Sequence, residues 1–368
     1  MGFVVELDEL KKASFLRSVA SRQYEYFKLS WGTGVLNMYS YNGTLITRVS
    51  LECETSDIDE AVLRSDKWWA IVSNAAPGQL MIEKLRSNLR ISSGSQEVKL
   101  RMIPSEHFVD VTRVFSCSRN TLGALVGKAF KEGMQRVVYA ASTDARPHLQ
   151  TVQFVLDSDS EWLGMFATNG IKIAGARVPA KIEESRTYLI PSSTINHWTK
   201  LVADKEMVRI FGDNNLVGIE FGPHWSTTQT VSGSFPPVDQ FLKPPEVPNF
   251  ILAKSDLRRA LQQALVFNDA MTSSMVELTA EGSSVKLSAE GEVGAFKETL
   301  RANVSIPLTA LVNPEMVLDV LHKVPGDYLV VSQEKELTPL YLRGEVDSGI
   351  SIVMPLRKKQ VKGDDGDF

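Results

Sequence analysis

The sequence predicts an α+β protein made of three copies of one domain, each with two helices packed on antiparallel sheets. Three observations predict it. The chain has 368 residues, more than one ordinary hydrophobic core organises. An apolar strand followed by a Lys/Arg-bearing helix opens the chain and recurs at intervals of roughly 115 to 130 residues. Each copy then runs through alternating strands to a second helix and closes on two or three more strands, an arrangement that places helices on one face of a sheet.

The opening strands are read at Phe3-Val4-Val5-Glu6-Leu7, at Val114-Phe115-Ser116-Cys117 and at Asn249-Phe250-Ile251-Leu252. The helices that follow are predicted over 8–20, 118–131 and 255–266. Asp8, Ser118 and Ser255 are the expected N-caps, because a short side-chain oxygen accepts from the free amides of a first turn. Apolar residues recur at helical spacing as Leu10, Ala13 and Leu16; Leu122, Leu125 and Ala129; and Leu257, Ala260, Leu261 and Leu265. Second helices are predicted over 64–75, 192–203 and 314–323. After them come the alternating segments Leu89-Arg90-Ile91-Ser92, 216–221 and 340–346. Boundaries near 110–113 and at the proline-rich connector 243–248 divide the chain into 1–113, 114–245 and 246–358. Residues 359–368 read as a flexible acidic tail.

Composition excludes several classes. A hydrophobic fraction of 43% and a charged fraction of 23% are those of soluble globular proteins. No apolar run is long enough to span a bilayer. The N-terminus lacks the basic and apolar segments of a signal peptide, and Glu6 breaks a myristoylation motif. Cys53 and Cys117 cannot make a disulfide framework in a chain this long, so a reduced, cytoplasmic protein is expected. No catalytic residue, metal ligand or cofactor is expected. The five histidines show no metal spacing, and Trp31-Gly32-Thr33-Gly34 lacks the third glycine of a dinucleotide fingerprint and reads as a tight turn. Asp57 and Asp59, and Asp157 and Asp159, read as solvated loop carboxylates.

Two features carry functional information. The first is charge placement. Net charge is −4, so bulk attraction to nucleic acid is excluded. Yet the opening helices carry Lys11, Lys12 and Arg17; Arg119, Lys128 and Lys131; and Lys254, Arg258 and Arg259. The second helices carry Arg64 and Lys67; His197 and Lys200; and His322 and Lys323. Helices of this kind, facing one cavity, would line it with positive charge. The second feature is Met165-Phe-Ala-Thr-Asn-Gly-Ile-Lys-Ile-Ala174, two apolar runs around Asn169-Gly170, the dipeptide that best tolerates the positive φ of a two-residue hairpin. It stands with Arg146-Pro147-His148-Leu149 upstream, Gly233-Ser234-Phe235-Pro236 downstream and Ile352-Val353-Met354-Pro355-Leu356-Arg357 near the end.

In this order and spacing the four segments resemble the beta subunit of bacterial DNA polymerase III, the beta sliding clamp, of which the chain would be a divergent member. In that family the hairpin is of an Ala-Thr-Asp-Gly-His-Arg-Leu-Ala type and the ending is Val-Met-Pro-Met-Arg. Here Asp becomes Asn169, His becomes Ile171 and Arg becomes Lys172, and Gln240 stands where an Arg is frequent. The resemblance implies a ring of six domains closed by a head-to-tail homodimer. It also implies a sequence-independent hold on duplex DNA through the basic helices, including His197 and Lys323. A hydrophobic groove for partner peptides would be formed by Leu149, Thr168, Gly170, Ile171, Lys172, Ile173, Pro236, Gln240, Phe241 and residues 352–357. The implied partners are the polymerase catalytic subunit, the clamp loader and other proteins with clamp-binding motifs, with no membrane. Phe108, Leu265 and Val266 are the expected dimer contacts. The alternatives are a paralogue of that fold with altered partners, and a nucleic-acid-processing enzyme that uses the repeats as scaffold.

Overall fold

The computed structural model describes residues 2–19, 25–110, 120–144, 146–267, 275–291, 294–345 and 349–357. Arg119, Ser118, Cys117, the expected strand at 114–117 and the tail lie outside the described residues.

One element order occurs three times. The first copy is β1 (Gly2–Glu6), α1 (Leu7–Lys12), β2 (Tyr26–Gly32), β3 (Val35–Tyr41), β4 (Leu45–Glu52), β5 (Asp59–Arg64), α2 (Ser65–Asn74), β6 (Gln79–Lys84), β7 (Asn88–Ser93) and β8 (Gln96–Arg101). The second is β9 (Thr121–Val126), α3 (Gly127–Val137), β10 (Thr151–Leu156), β11 (Trp162–Thr168), β12 (Lys172–Pro179), the two-residue β13 (Lys181–Ile182), β14 (Arg186–Pro191), α4 (Ser192–Leu201), β15 (Met207–Gly212), β16 (Leu216–Phe221) and β17 (His224–Gln229). The third is β18 (Phe250–Ala253), α5 (Lys254–Leu265), β19 (Val276–Glu281), β20 (Ser284–Gly291), β21 (Gly294–Val304), β22 (Leu308–Val312), α6 (Pro314–Leu321), β23 (Tyr328–Ser332), β24 (Leu340–Gly344) and β25 (Ile350–Val353).

Residue contacts divide the chain into two units. Residues 1–134, 154–163 and 178–232 form one; 135–153, 164–177 and 233–368 form the other. In the first unit β1 pairs β6, which continues through β7 to β8, and β5 pairs β2, which continues through β3 to β4. β9 repeats the first pattern with β15, β16 and β17. β4 then pairs antiparallel with β17, Leu45 opposite Thr228 and Arg48 opposite Trp225. In the second unit β18 pairs β23, continuing to β24 and β25, and β22 pairs β19, continuing to β20 and β21. There β12 pairs with β25, Lys172 opposite Val353 and Gly175 opposite Ile350. β8 ends its sheet, and β21 has β20 on one side and meets β18 only through residues 302–304.

Each unit buries its own core. In the first, Phe27 packs on Trp68 and Trp69 at centroid distances of 5.7 and 5.9 Å, and all three are fully buried. Burial of each such ring contributes on the order of 2–3 kcal/mol. In the second, Leu257, Leu261, Val317, Leu321, Leu329 and Leu342 belong to one cluster.

The second helices lie where periodicity places them, and Asn313 caps α6 by accepting from the Met316 N–H at 3.2 Å. The opening helices differ. Residues 121–126, expected as helix, form β9, and α3 begins at Gly127. A Cβ at Gly127 would lie 2.1 Å from the Ala203 carbonyl oxygen, so the glycine marks a close backbone approach at the strand-to-helix turn. The buried face of α3 is Phe130, Met134 and Val137. α1 stops at Lys12 and tightens into a 3₁₀ turn over Ala13–Ser18. Glu6 and Ala253 precede α1 and α5 without side-chain caps, so Asp8 and Ser255 sit inside their first turns instead of capping them. Trp31-Gly32-Thr33-Gly34 is a tight turn, with φ of 50° at Thr33 and 80° at Gly34.

Candidate peptide groove and basic helices

All four segments singled out in the sequence meet in the second unit. The hairpin between β11 and β12 is built by Asn169, whose Oδ1 accepts from the N–H groups of Ile171 and Lys172 at 3.0 and 2.8 Å. Gly170 takes φ +91°, a region that only glycine enters without strain. Thr168 is buried and its hydroxyl donates to the Lys172 carbonyl at 2.8 Å while accepting from the Gly170 N–H at 3.0 Å. The guanidinium of Arg146 donates to the Asn169 carbonyl at 3.1 Å and ties the hairpin to the 3₁₀ turn Pro147–Leu149. Gly233 lies against His148, 3.1 Å from an ideal Cβ, which brings the segment containing Pro236 to the same turn. The terminal segment is held by β12–β25 pairing and by two further bonds. The Met354 N–H donates to the Ile171 carbonyl at 2.9 Å and the Leu356 N–H to the Leu311 carbonyl at 2.7 Å.

Burial sorts the expected groove residues. Leu149, Thr168, Ile173, Ile352 and Val353 are buried. Ile171, at 43% exposed, and the half-buried Pro236, Phe241, Met354, Pro355 and Leu356 offer apolar surface. Gln240 and Arg357 are exposed, and the Gln240 amide donates to the Pro237 carbonyl at 3.3 Å. Lys172 is 9% exposed, and its ammonium reaches Asp319 at 2.7 Å instead of the surface. The cation at the hairpin surface is Arg146, paired with Asp144 at 2.7 Å; the guanidinium beside Asp144 holds that carboxyl well below the usual carboxylate range. A cleft of about 660 Å³ adjoins Pro355, Leu356 and Arg357 and is also lined by Leu311, Leu337 and Glu277. Leu337, exposed at φ 65°, has no signature in the sequence.

The first unit contains the same scaffold with more polar residues on it. Asn42 Oδ1 accepts from Thr44 and Leu45 N–H groups at 3.1 and 2.8 Å, the Gln229 N–H donates to the Thr44 carbonyl at 2.9 Å, and the Val231 N–H donates to Leu189 at 2.9 Å. These bonds match those of Asn169, Met354 and Leu356 one for one. Thr44, Gln229 and Thr230 stand where the second unit has Ile171, Met354 and Pro355, and Val231 where it has Leu356, so side-chain chemistry on a shared backbone geometry makes the second unit's surface the more apolar.

The basic residues vary in freedom. Lys11, Lys12, Arg17, Lys67, Lys128, Lys200, Arg259 and Lys323 are exposed. Arg64 pairs with Asp66 and Glu25, Lys131 with Asp204, and Arg259 with Glu298. Lys254 and Arg258 donate to the carbonyls of Val324 and Leu321, at 2.8 and 3.4 Å, beyond and at the end of α6, where cations complement the helix dipole. His197 departs from expectation. It is 6% exposed and hydrogen-bonded to the Thr47 hydroxyl at 3.0 Å. Burial, reinforced by the charge of Lys200, lowers its pKa to about 4. A buried neutral imidazole offers no charge to a phosphate. It belongs to a network in which Thr47 bonds Ser226 at 2.8 Å and the Trp198 indole N–H donates to Ser226 at 2.9 Å. Phe108 is 8% exposed, Leu265 half-buried and Val266 68% exposed. Among the described residues no group of three or more His, Cys, Asp or Glu side chains is placed to hold a metal, and no helix is long and apolar enough to cross a membrane.

Comparison with known proteins finds the same architecture elsewhere. Residues 124–237 match the family described as DNA polymerase III beta subunit, central domain. A beta sliding clamp from Synechococcus elongatus is 22% identical over 223 residues, an alignment that spans 58% of this chain and 58% of that protein. Among solved structures, the DNA polymerase sliding clamp of Bacillus subtilis superposes with a TM-score of 0.87 at 19% identity, over 97% of this chain and 99% of that one. The DNA polymerase III beta subunit of Pseudomonas aeruginosa gives 0.89 at 16%, over 97% and 100%. A clamp from the same organism bound to griselimycin gives 0.89 at 17%, over 97% and 99%. The middle third of the chain is thus similar in sequence to the central domain of the beta subunit, and the fold is that of the sliding clamps from end to end.

Proposed function

We propose that this chain is a DNA sliding clamp, a non-catalytic processivity factor that encircles duplex DNA as a head-to-tail homodimer and tethers a replicative polymerase. The observation that carries the proposal is a junction used twice with its third use left open. In each unit the fourth strand of one copy pairs with the last strand of the next, β4 with β17 and β12 with β25. The remaining members of that series are β21 and β8. A second copy of the chain supplies each with its partner, and two three-domain chains, with boundaries near 113/114 and 245/246, then close a ring of six domains. Both new junctions are heterologous and related by a twofold axis.

The two existing junctions specify the register of the missing one. The loops of β7–β8 and β16–β17 are both two residues long, and the N–H groups of Ile103, Val231 and Leu356 make the same bond to Val62, Leu189 and Leu311. Counting from these, Glu97 corresponds to Trp225 and Ile350, and Lys297 to Arg48 and Gly175. Phe296 then faces Val98 across the junction, Lys297 faces Glu97, and Gly294 faces Leu100. Phe296 already stacks on Phe267 at 6.1 Å. Val266, at the same offset from its helix start as Tyr139, would cover the exposed Ala70 of α2.

A ring with Lys11, Lys12, Arg17, Lys67, Lys128, Lys200, Arg259 and Lys323 turned inward would hold DNA by phosphate contacts that carry no sequence information. Retention then comes from enclosure. The apolar surface of Ile171, Pro236, Phe241, Met354 and Leu356 suits two or three apolar side chains of an extended partner peptide. Such peptides would come from the polymerase catalytic subunit, the clamp loader and other clamp-binding proteins, in the cytoplasm at the nucleoid. The test is one double variant in polymerase assays. Met354→Ala with Leu356→Ala is expected to abolish polymerase stimulation while leaving the thermal midpoint within a few degrees. Full stimulation by that variant would refute the groove.

A further inference from the structure

The pairing of β12 with β25 sorts side chains onto two faces. Lys172, Ala174, Ser351 and Val353 share one face, and Ile173 and Ile352 the other. On the Lys172 face the structure holds a closed polar cluster. The Lys172 ammonium lies 2.7 Å from Asp319 on α6 and 5.4 Å above the Tyr139 ring. The Tyr139 hydroxyl bonds Ser351 at 2.8 Å, and the buried guanidinium of Arg136 donates to the same Ser351 hydroxyl at 2.8 Å. Ser351 sits opposite Ala174 in the ladder, so the cluster grips both strands behind the groove.

We infer that Lys172 is a positioning residue for the groove and not a contact for the partner peptide; this rests on the peptide-groove reading and deepens it. Its side chain is 11% exposed against 53% for Asp319, so the ammonium has little water to fall back on. A buried charge is stable only while paired. Holding that pair fixes the backbone at Lys172, the first residue after the three-residue loop 169–171. That in turn sets Ile171, whose side chain is groove surface and whose carbonyl receives the Met354 N–H. Lys172 thus acts on the peptide through Ile171 and Met354. Cations met directly by a peptide would be Arg146 and Arg357, which are exposed.

The test uses the full-length dimer and two readouts. Hydrogen exchange at the Met354 amide reports hairpin docking without any ligand. Calorimetric titration with griselimycin, with which a Pseudomonas aeruginosa clamp has been solved, reports the groove. Lys172→Met is expected to speed Met354 exchange about 10-fold and to weaken griselimycin about 5- to 10-fold, with Lys172→Arg within about 2-fold of the parent. Asp319→Asn, a change at a half-exposed site, should reproduce the loss, and the double variant should be no worse than either single one, as expected of coupled residues. Unchanged Met354 exchange in Lys172→Met, or losses that add in the double variant, would overturn the inference. If the parent protein fails to bind griselimycin while the exchange effect is present, the positioning role stands and the groove reading falls.

Discussion

The register proposed for the ring junction makes a charge-reversal prediction that can be worked through in numbers. Glu97 on β8 is expected to face Lys297 on β21 of the neighbouring copy, on the exposed side of the joined sheet. In the single chain Glu97 has loose neighbours, the half-buried Arg90 and the exposed Lys99, each at 3.8 Å. Glu97→Lys would bring four like charges, at 90, 97, 99 and 297, onto one patch. A cross-strand pair of this kind is worth about 0.2–1 kcal/mol, and a like-charge pair costs a similar amount. Loss of attraction plus gain of repulsion is therefore about 1 kcal/mol per junction at low salt. A closed ring has two junctions, so the dimer loses about 2 kcal/mol, roughly 30-fold in dissociation constant. Sedimentation across a concentration series at low salt measures it. Glu97→Lys combined with Lys297→Glu reverses both charges and should restore the parent constant, and raising salt should narrow every difference because exposed pairs are screened. A single variant that dimerises like the parent, or a double variant that stays as weak as the single one, would refute the register.

Three further outcomes follow from particular residues. Gly170→Val should destabilise the hairpin by about 1–2 kcal/mol or more, because a β-branched residue is strained at φ +91°; the nearest Arg146 atoms, 3.7 Å from an added Cβ, leave room, so backbone strain and not crowding is what thermal unfolding of Gly170→Ala beside Gly170→Val would register. His197 binds its proton less readily folded, with a pKa near 4, than unfolded, near 6.5. Its contribution is therefore complete above about pH 6.5 and lost as pH falls toward 4, an order of 3 kcal/mol. Urea titrations between pH 7 and 4 should show that slope, and His197→Gln should flatten it. Leu356→Ala keeps the backbone bond to Leu311, so its loss of partner affinity, about 10-fold or more in calorimetry, should come with little loss of folding stability.

Much of this was readable in the chain because the signals were local. Asn169-Gly170 demanded a tight turn, although the loop between β11 and β12 has three residues, 169–171, and only Gly170 takes positive φ; Asn313-Pro314 demanded a helix start, and repeated strand-helix openings demanded repeated domains. What escaped was set by tertiary context. Leu122 and Leu125 have helical spacing with Ala129, yet pairing with β15 made them strand, and Gly127 moved the helix start to the point of closest backbone approach. Basic side chains counted alike in the sequence divide in space, since Lys254 and Arg258 finish on the end of α6 and His197 goes inside. Lys172 was expected in the groove wall by motif, but side chains alternate along a strand and its own face of β12 turns it to Asp319. Arg146, named only as part of a motif, supplies the exposed charge. No sequence pattern marked Leu337 or the Ser351 cluster, because each depends on residues far apart in the chain.

The central claim is that this chain holds DNA by enclosing it. Protein loaded by a bacterial clamp loader on a nicked circular plasmid, then split so that half the plasmid is linearised at a single site, tests this directly by gel filtration of bound protein. Enclosure predicts retention on circles for many minutes and rapid loss from linear DNA unless both ends are blocked. Equal retention on circular and linear molecules, with both released alike by salt, would contradict it.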